Sequence, residues 1–242
     1  MKDVERKGRL PRHGGNGEPR GPEEIPGDQV LIETVQRRIE ERLGPIRTVW
    51  CLPKIEDRVH VDLHWVPPTP LNPWHTILTT GMSERPMRPP AEAAEARFGE
   101  LYLCLPPEWP LEAAGPSDSE AGWPLSLLSD FAGYPHREGR WLWYGHTVAY
   151  EPAQPLGPGV RFSAAALGPS ISLPRGFNGI EAGPDRIVWY FSLLPIYPEE
   201  RELAIREGTE ALFERLRLAG VTDLLKVRRR NVARPARRGR TP

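Results

Sequence analysis

Cysteine is scarce in this chain of 242 residues, which holds only Cys51 and Cys104. Two thiols cannot build a disulfide framework or a four-thiolate zinc site. Both sit in strand-like apolar runs, which predicts reduced, buried side chains. Long apolar runs are missing too. The run IVWYF at 187–191 meets Ser192 at once and Pro195 soon after, far short of the ~20 residues a bilayer span needs. The opening MKDVERKGRLPRHGG lacks the apolar segment of a signal peptide, so a cytoplasmic location without membrane contact is the expectation. Catalytic signatures are also absent: there is no G-x-S-x-G elbow, no G-x-x-x-x-G-K-[ST] phosphate loop and no H-E-x-x-H.

What is present suits a folded domain: 39% hydrophobic residues, 26% charged residues and eight tryptophans. Net charge is zero but unevenly spread. Seven arginines and no acid lie between Arg228 and Arg240, which leaves 25 basic side chains against 32 acidic ones elsewhere. A body this acidic is poorly suited to a broad nucleic-acid surface. An anion or nucleic-acid contact is left to the Arg228–Arg240 tail alone, and solvation explains such a tail equally well.

Residues 1–27 are rich in Gly, Pro, Arg and Glu and hold too few apolar residues to offset ordering entropy, so disorder is expected there. A domain is expected over 28–232, followed by an Arg-rich disordered tail over 233–242. Asp28 is a candidate N-cap for a helix that places Leu31, Val35, Ile39 and Leu43 at steps of four and stops at Gly44-Pro45. Strands are predicted at 46–52, 58–66, 74–80, 98–105, 141–150, 160–167 and 187–194, with a last one at 222–227. A short helix is predicted at WPLSLLSDFAGY, with Pro124 in its first turn. A long helix then follows from Pro198 to Gly220, with Leu212, Leu216 and Ala219 as its apolar stripe. The irregular order of these elements indicates an α+β fold. It is expected to be one domain, a mixed, largely antiparallel twisted sheet packed by helices near both ends and a short helix in the middle.

The stretch HVDLHWVPP at 60–68 sets His60, Asp62 and His64 at alternate positions. A strand rises ~3.3 Å per residue, so His60 and His64 stand ~13 Å apart and cannot share one ion. His60 with Asp62 remains open as a pair if His75 or His146 joins from a neighbouring strand, and a metal-dependent hydrolase would use these four. The alternation of Val59, Val61, Leu63 and Trp65 supports the other reading, a half-buried strand with one polar face and no metal or cofactor. Ser83 in TTGMSE reads as a turn residue. Glu199 and Glu200 read as solvated acids at a helix start.

Several segments resemble the suppressor of fused domain family. WHTILTTGMSERPM resembles its T-x-G-M-S-[DE]-x-P-M turn, through Gly81, Met82, Ser83 and Pro86. VHVDLHWVPPT resembles its H-x-D strand through His60 and Asp62, and GELYLCLPPEWP its E-L-x-x-x-L-P-x-x-W segment. WPLSLLSDFAGYPH resembles the W-P helix through Trp123 and Pro124, and WLWYGHTV the G-H-T strand through Gly145. The acidic helix with Glu200 and Gly208, and VRRRNV with Asn231, complete the series. The pieces are collinear over residues 29–232. The N-terminal flank, the stretch 168–184 and the Arg-rich end depart from the pattern. The chain resembles only the N-terminal half of the animal protein, so that protein's two-halved peptide clamp is not carried over.

The resemblance implies a non-enzymatic protein-binding module. In bacterial members it implies an immunity protein that binds and neutralises a toxin, so another protein is the expected partner. Such proteins bury a patch with aromatic anchors and a polar rim. Candidate contacts are Tyr134, His136 and Arg137 after the short helix, and Trp141, Trp143, Tyr144 and His146 on the next expected strand. Strand alternation would put Trp141 and Trp143 on one face and Tyr144 and His146 on the other.

Overall fold

The steps-of-four pattern near the start produces α1 (Gln29–Leu43). It lays Leu31, Val35, Ile39 and Leu43 on the sheet, each no more than 3% exposed. Fully burying side chains of this size contributes about 1.5–3 kcal/mol each. The structure is a computed structural model and describes residues 9–10, 29–52, 59–117, 119–150, 153–183 and 185–234. Asp28, residues 235–242 and all of residues 1–27 except Arg9 and Leu10 lie outside the described residues, and with them the expected N-cap, most of the expected N-terminal disorder and most of the expected Arg-rich tail.

The expected strands appear with trimmed ends as β2 (Thr48–Cys51), β3 (Asp62–Val66), β4 (His75–Thr80) and β5 (Gly99–Leu105). Farther along come β6 (Thr147–Tyr150), β7 (Ala164–Gly168) and β9 (Ile187–Ile196). Two short strands were not anticipated. One is β8 (Gly179–Glu181), which pairs with β9. The other is β1 (Arg9–Leu10), inside the segment expected to lack order, which runs parallel to β6. The described strands form one sheet in the order β1-β6-β7-β9-β5-β4-β3-β2. It is mixed and mostly antiparallel, with parallel pairs at β5–β9 and β1–β6. This is the α+β open sheet expected.

Four elements depart from expectation. Residues 141–146 are not strand: His146 N–H bonds back to Trp143 O at 3.1 Å, and Gly145 takes φ 85°. The helix from Pro198 is two helices, α3 (Pro198–Glu207) and α4 (Thr209–Leu218). Gly208 separates them at φ 91° and ψ 152°, outside helical space. In α4, Leu212 and Leu216 are buried as expected, but Ala219 is exposed. Residues 222–227 form no strand; Leu224 makes only a single bridge to Cys104. The middle helix, α2 (Trp123–Glu138), is longer than expected and carries Pro135 inside it.

Alternation along β9 sorts the core into layers. Phe191 and Leu193 join the cluster under α2, with Trp123, Leu127, Leu128 and Phe131. Val188 and Tyr190 face the cluster of α1. Leu194 and Ile196 face that of α3 and α4, with Leu203, Leu212 and Leu216. One face is thus covered by α2. The other is shared, with α1 over one half and the α3–α4 pair over the rest. Among the described residues no helix is long and apolar enough to cross a membrane.

Candidate functional site

Covering both faces changes the meaning of HVDLH. Its period of two is real, but its polar face is not solvated: His64 pairs across from Leu78, on the α1 side, and is fully buried. His64 Nε2 lies 2.8 Å from Thr80 Oγ1, and burial lowers its pKa. The four-residue metal set does not assemble either. Both ring nitrogens of His75 are engaged: Nδ1 accepts from Trp65 Nε1 at 3.0 Å, and Nε2 lies 3.0 Å from Pro107 O. His146 packs edge-on to Trp141 at 4.5 Å. The group that does converge is Cys51, His60 and Asp62. Cys51 is exposed, contrary to expectation, while Cys104 is buried. Desolvation, then the Asp62 carboxylate, push the Cys51 thiol up. No sequence signal identified Cys51, because its position opposite Asp62 depends on the register of β2 against β3.

The TGMSE turn is a framework rather than a site. Gly81 takes φ 98°, and Met82 and Ser83 are buried. Ser83 donates from its N–H at 2.9 Å and its hydroxyl at 2.6 Å to Glu100 Oε1, while the Thr79 hydroxyl lies 2.6 Å from Oε2. His136 holds Met82 O at 2.8 Å, and the Tyr190 hydroxyl donates to Thr79 O at 2.9 Å. Glu100 was missed, although a lone acid inside the apolar run FGELYLCL is its sequence signal.

Complete burial pushes the Glu100 carboxyl from 4.5 up to about 7, against the Ser83 and Thr79 hydrogen bonds that favour the anion. Between those pH values the unfolded chain has released this proton and the native state has kept it. Stability from this group therefore falls as pH rises from about 4.5 through 7, by roughly 3 kcal/mol. Glu100→Gln keeps the acceptor for Ser83 and removes the titration. Urea midpoints taken from pH 4.5 to 8 should fall less steeply for the variant than for wild type; parallel curves would show that Glu100 does not titrate there.

At the other end of the domain, the two closing motifs meet. Glu200 is fully buried and receives a two-pronged ion pair from Arg229, with both N···O distances 2.6 Å. It also accepts from Tyr197 N–H at 3.0 Å and Val232 N–H at 2.9 Å. Arg229 stacks over Phe162 and Tyr197, 5.1 Å from each ring centre. Asn231 donates to Glu199 at 2.8 Å, and Arg234 pairs with Glu199, lowering its pKa. The solvated reading of Glu200 is corrected: it anchors the C-terminal segment. Two of the seven tail arginines are thereby committed to internal partners.

The aromatic candidates separate. Tyr134 and His136 are buried and face the interior, and Arg137 Nη2 bonds Asp130 O at 3.0 Å. Trp143 packs edge-on to Trp189 and Phe191. Because 141–146 is a turn, Trp141 contacts His146 instead of sharing a face with Trp143. Trp141 and His146 are half-buried, and Tyr144 is exposed against Phe213, at 5.2 Å. These three sit together at the start of β6.

The family described as "Suppressor of fused protein (SUFU)" matches residues 57–230. The chain belongs to the suppressor of fused family. A solved putative suppressor of fused homolog from Neisseria gonorrhoeae FA 1090 shares 16% identity at a TM-score of 0.60, covering 87% of this chain and 98% of that one. A chain of "the Sufu-Fu complex" shares 15% identity at a TM-score of 0.57, covering 86% and 92%. Drosophila Suppressor of Fused shares 17% at 0.58, covering 86% of this chain and 51% of that one. At these identities the likeness establishes the fold. No curated protein matches the sequence.

Among the suppressor of fused motif residues, Gly81, Met82, Ser83, Trp123, Glu200 and Asn231 are spent on holding the backbone. Trp123 is buried, with Pro124 in the first turn of α2. Gly145 O accepts from Thr209 Oγ1 at 2.7 Å, tying the turn before β6 to α4 just past Gly208. Pro86 is exposed. Beside that tie lies a groove of about 580 Å³, lined by Tyr144, Ile171, Leu194, Phe213 and Val221, with Glu210 and Glu214 on its rim. Asp223, in a stretch expected to be strand, also lines it. Its carboxylate accepts from Ile171 N–H at 3.0 Å, from Ser172 N–H at 2.9 Å, and from the hydroxyls of Ser172 and Tyr102.

Proposed function

We propose that this chain is a non-catalytic protein-binding module whose partner adds an extended segment along the open side of β6. The observation that carries it is the state of that edge. β1 pairs with β6 only at Ala149 and Tyr150, leaving Thr147 and Val148 without a strand partner on that side among the described residues. An edge with unpaired backbone groups is a template for another chain, and β1 shows that this one accepts a parallel strand. Tyr144, Trp141 and His146 lie at the start of β6 and supply aromatic anchors for side-chain recognition. A protein complex formed by another suppressor of fused chain supports the reading. The form we put forward is the one the sequence resemblance implies, immunity by binding and neutralising a toxin.

In this reading β1 competes with the partner. Full-length protein should co-purify with one protein at near-equal stoichiometry, identified by mass spectrometry. Recovery should rise when Arg9 and Leu10 are both replaced by proline, which removes the β1 backbone donors, and fall with Tyr144→Ala. Recovery indifferent to all three changes would exclude the β6 edge. A neighbouring toxin that keeps full activity in excess protein would end the immunity form while leaving the binding module standing.

A further inference from the structure

We propose that Cys51, His60 and Asp62 form a zinc(II) site at the β2 edge of the sheet, independent of the partner surface at β6. The antiparallel register sets Cys51 directly opposite Asp62, so both side chains leave the same face. His60 precedes Asp62 by two residues, and strand alternation returns it to that face. The thiol, imidazole and carboxylate donor atoms all lie within 4.8 Å of one another.

Four ligands around one zinc ion at about 2.0–2.3 Å stand roughly 3.3–3.8 Å apart. The His60 Nε2–Asp62 Oδ1 pair, at 2.9 Å, is slightly closer than that, and no separation to the thiol exceeds 4.8 Å, so assembling the trio takes shifts of about 1 Å or less, within reach of small side-chain rotations. Three protein donors leave one tetrahedral position for water. The mixture of sulfur, nitrogen and oxygen selects zinc over calcium and magnesium, which take oxygen ligands.

A second observation points to a ligand. Among the described residues, Asp62 Oδ1 is shielded from solvent and accepts no well-aligned hydrogen bond. His60 Nε2 lies only 2.9 Å from it, so the ring N–H is misaligned rather than distant. A carboxylate oxygen shielded from water and without a well-aligned donor is a favourable place for a cation. A cation held at this oxygen, with the His60 nitrogen beside it as a further donor, would satisfy the carboxylate. Cys51 is exposed, so an ion can enter from solvent. Its binding would clamp β2, a four-residue edge strand, onto β3.

Cobalt(II) provides the test on full-length protein stripped with a chelator. Titration should produce one near-ultraviolet thiolate-to-cobalt band per chain, and zinc should bleach it. Cys51→Ser should abolish the band; Cys104 is fully buried and cannot replace it. His60→Gln and Asp62→Asn should each weaken zinc binding in a chelator competition by roughly tenfold or more. Wild-type zinc binding should also raise the melting temperature, and Cys51→Ser should remove that rise. The proposal is overturned if no band forms, if the band survives Cys51→Ser, or if zinc affinity is unchanged in both ligand variants.

Discussion

Arg229→Ala is expected to destabilise the fold by about 3–5 kcal/mol, because it strands a carboxylate where no water can reach it. Glu200 is fully buried, and the Arg229 side chain is 5% exposed. Besides its two bonds to Glu200, the guanidinium donates to Pro195 O at 2.9 Å. With Arg230 O, 3.1 Å from Nη1, four acceptors surround the guanidinium fork; a lysine cannot reproduce it, so Arg229→Lys should recover little. For a domain of this size the loss corresponds to a melting temperature lowered by roughly 6–20 °C. The double variant Glu200→Leu/Arg229→Met removes both charges and should regain most of it, giving strong non-additivity in a thermal-melt cycle. An Arg229→Ala melting point within about 2 °C of wild type would mean that the pair is not the anchor described.

The pair also marks where sequence reading ends. VRRRNV reads as part of a basic tail, and an acid at a helix start reads as a dipole partner. Nothing local to either says that Glu200 and Arg229 meet across 29 residues inside the protein. Elements set by local period were legible. In α1, the steps of four fall on the buried residues. In β4, β5 and β9, dense apolar runs bounded by Pro and Gly match the observed strands closely. Strand order was not legible, because β9 lies between β5 and β7, pairings that skip along the chain. Nor was the coverage of the sheet. His64 sits at a polar position of an alternating strand, and only the packing of α1 decides that this face is dry. The candidate site was legible in part. The aromatics before β6 are visible in the sequence, but the turn at Gly145 decides that Tyr144 is exposed and that Trp143 packs, half-buried, against Trp189 and Phe191. Cys51 became relevant only once the β2–β3 register was known.

These framework roles bear on function. A motif residue whose polar atoms all point inward, as those of Ser83 and Glu200 do, keeps the scaffold constant. The groove beside Tyr144 and the edge of β6 lie outside these framework contacts. One fold can carry different sites in this way, because the scaffold and the surface use different residues.

Gly81→Ala is expected to be the most damaging Gly→Ala change among the described residues, costing more than about 4 kcal/mol or abolishing folding. A Cβ at this position would lie 1.8 Å from His60 O and 2.9 Å from His60 C, both backbone atoms. No side-chain rotation relieves that contact, so β3 would have to move away from β4. That shift would break the pairing of Asp62 with Thr80 and unseat the turn. Met82 would leave the α2 core, Ser83 would leave Glu100, and His136 would lose Met82 O. The positive φ adds its own strain. Gly159 separates the two effects: it has φ 67° but nothing within 4 Å of an added Cβ. Gly159→Ala should therefore cost only the conformational component, about 1–2 kcal/mol. Urea unfolding of the two variants beside wild type reads the difference directly. If Gly81→Ala costs no more than Gly159→Ala, β3 and β4 are looser than the close approach at His60 implies.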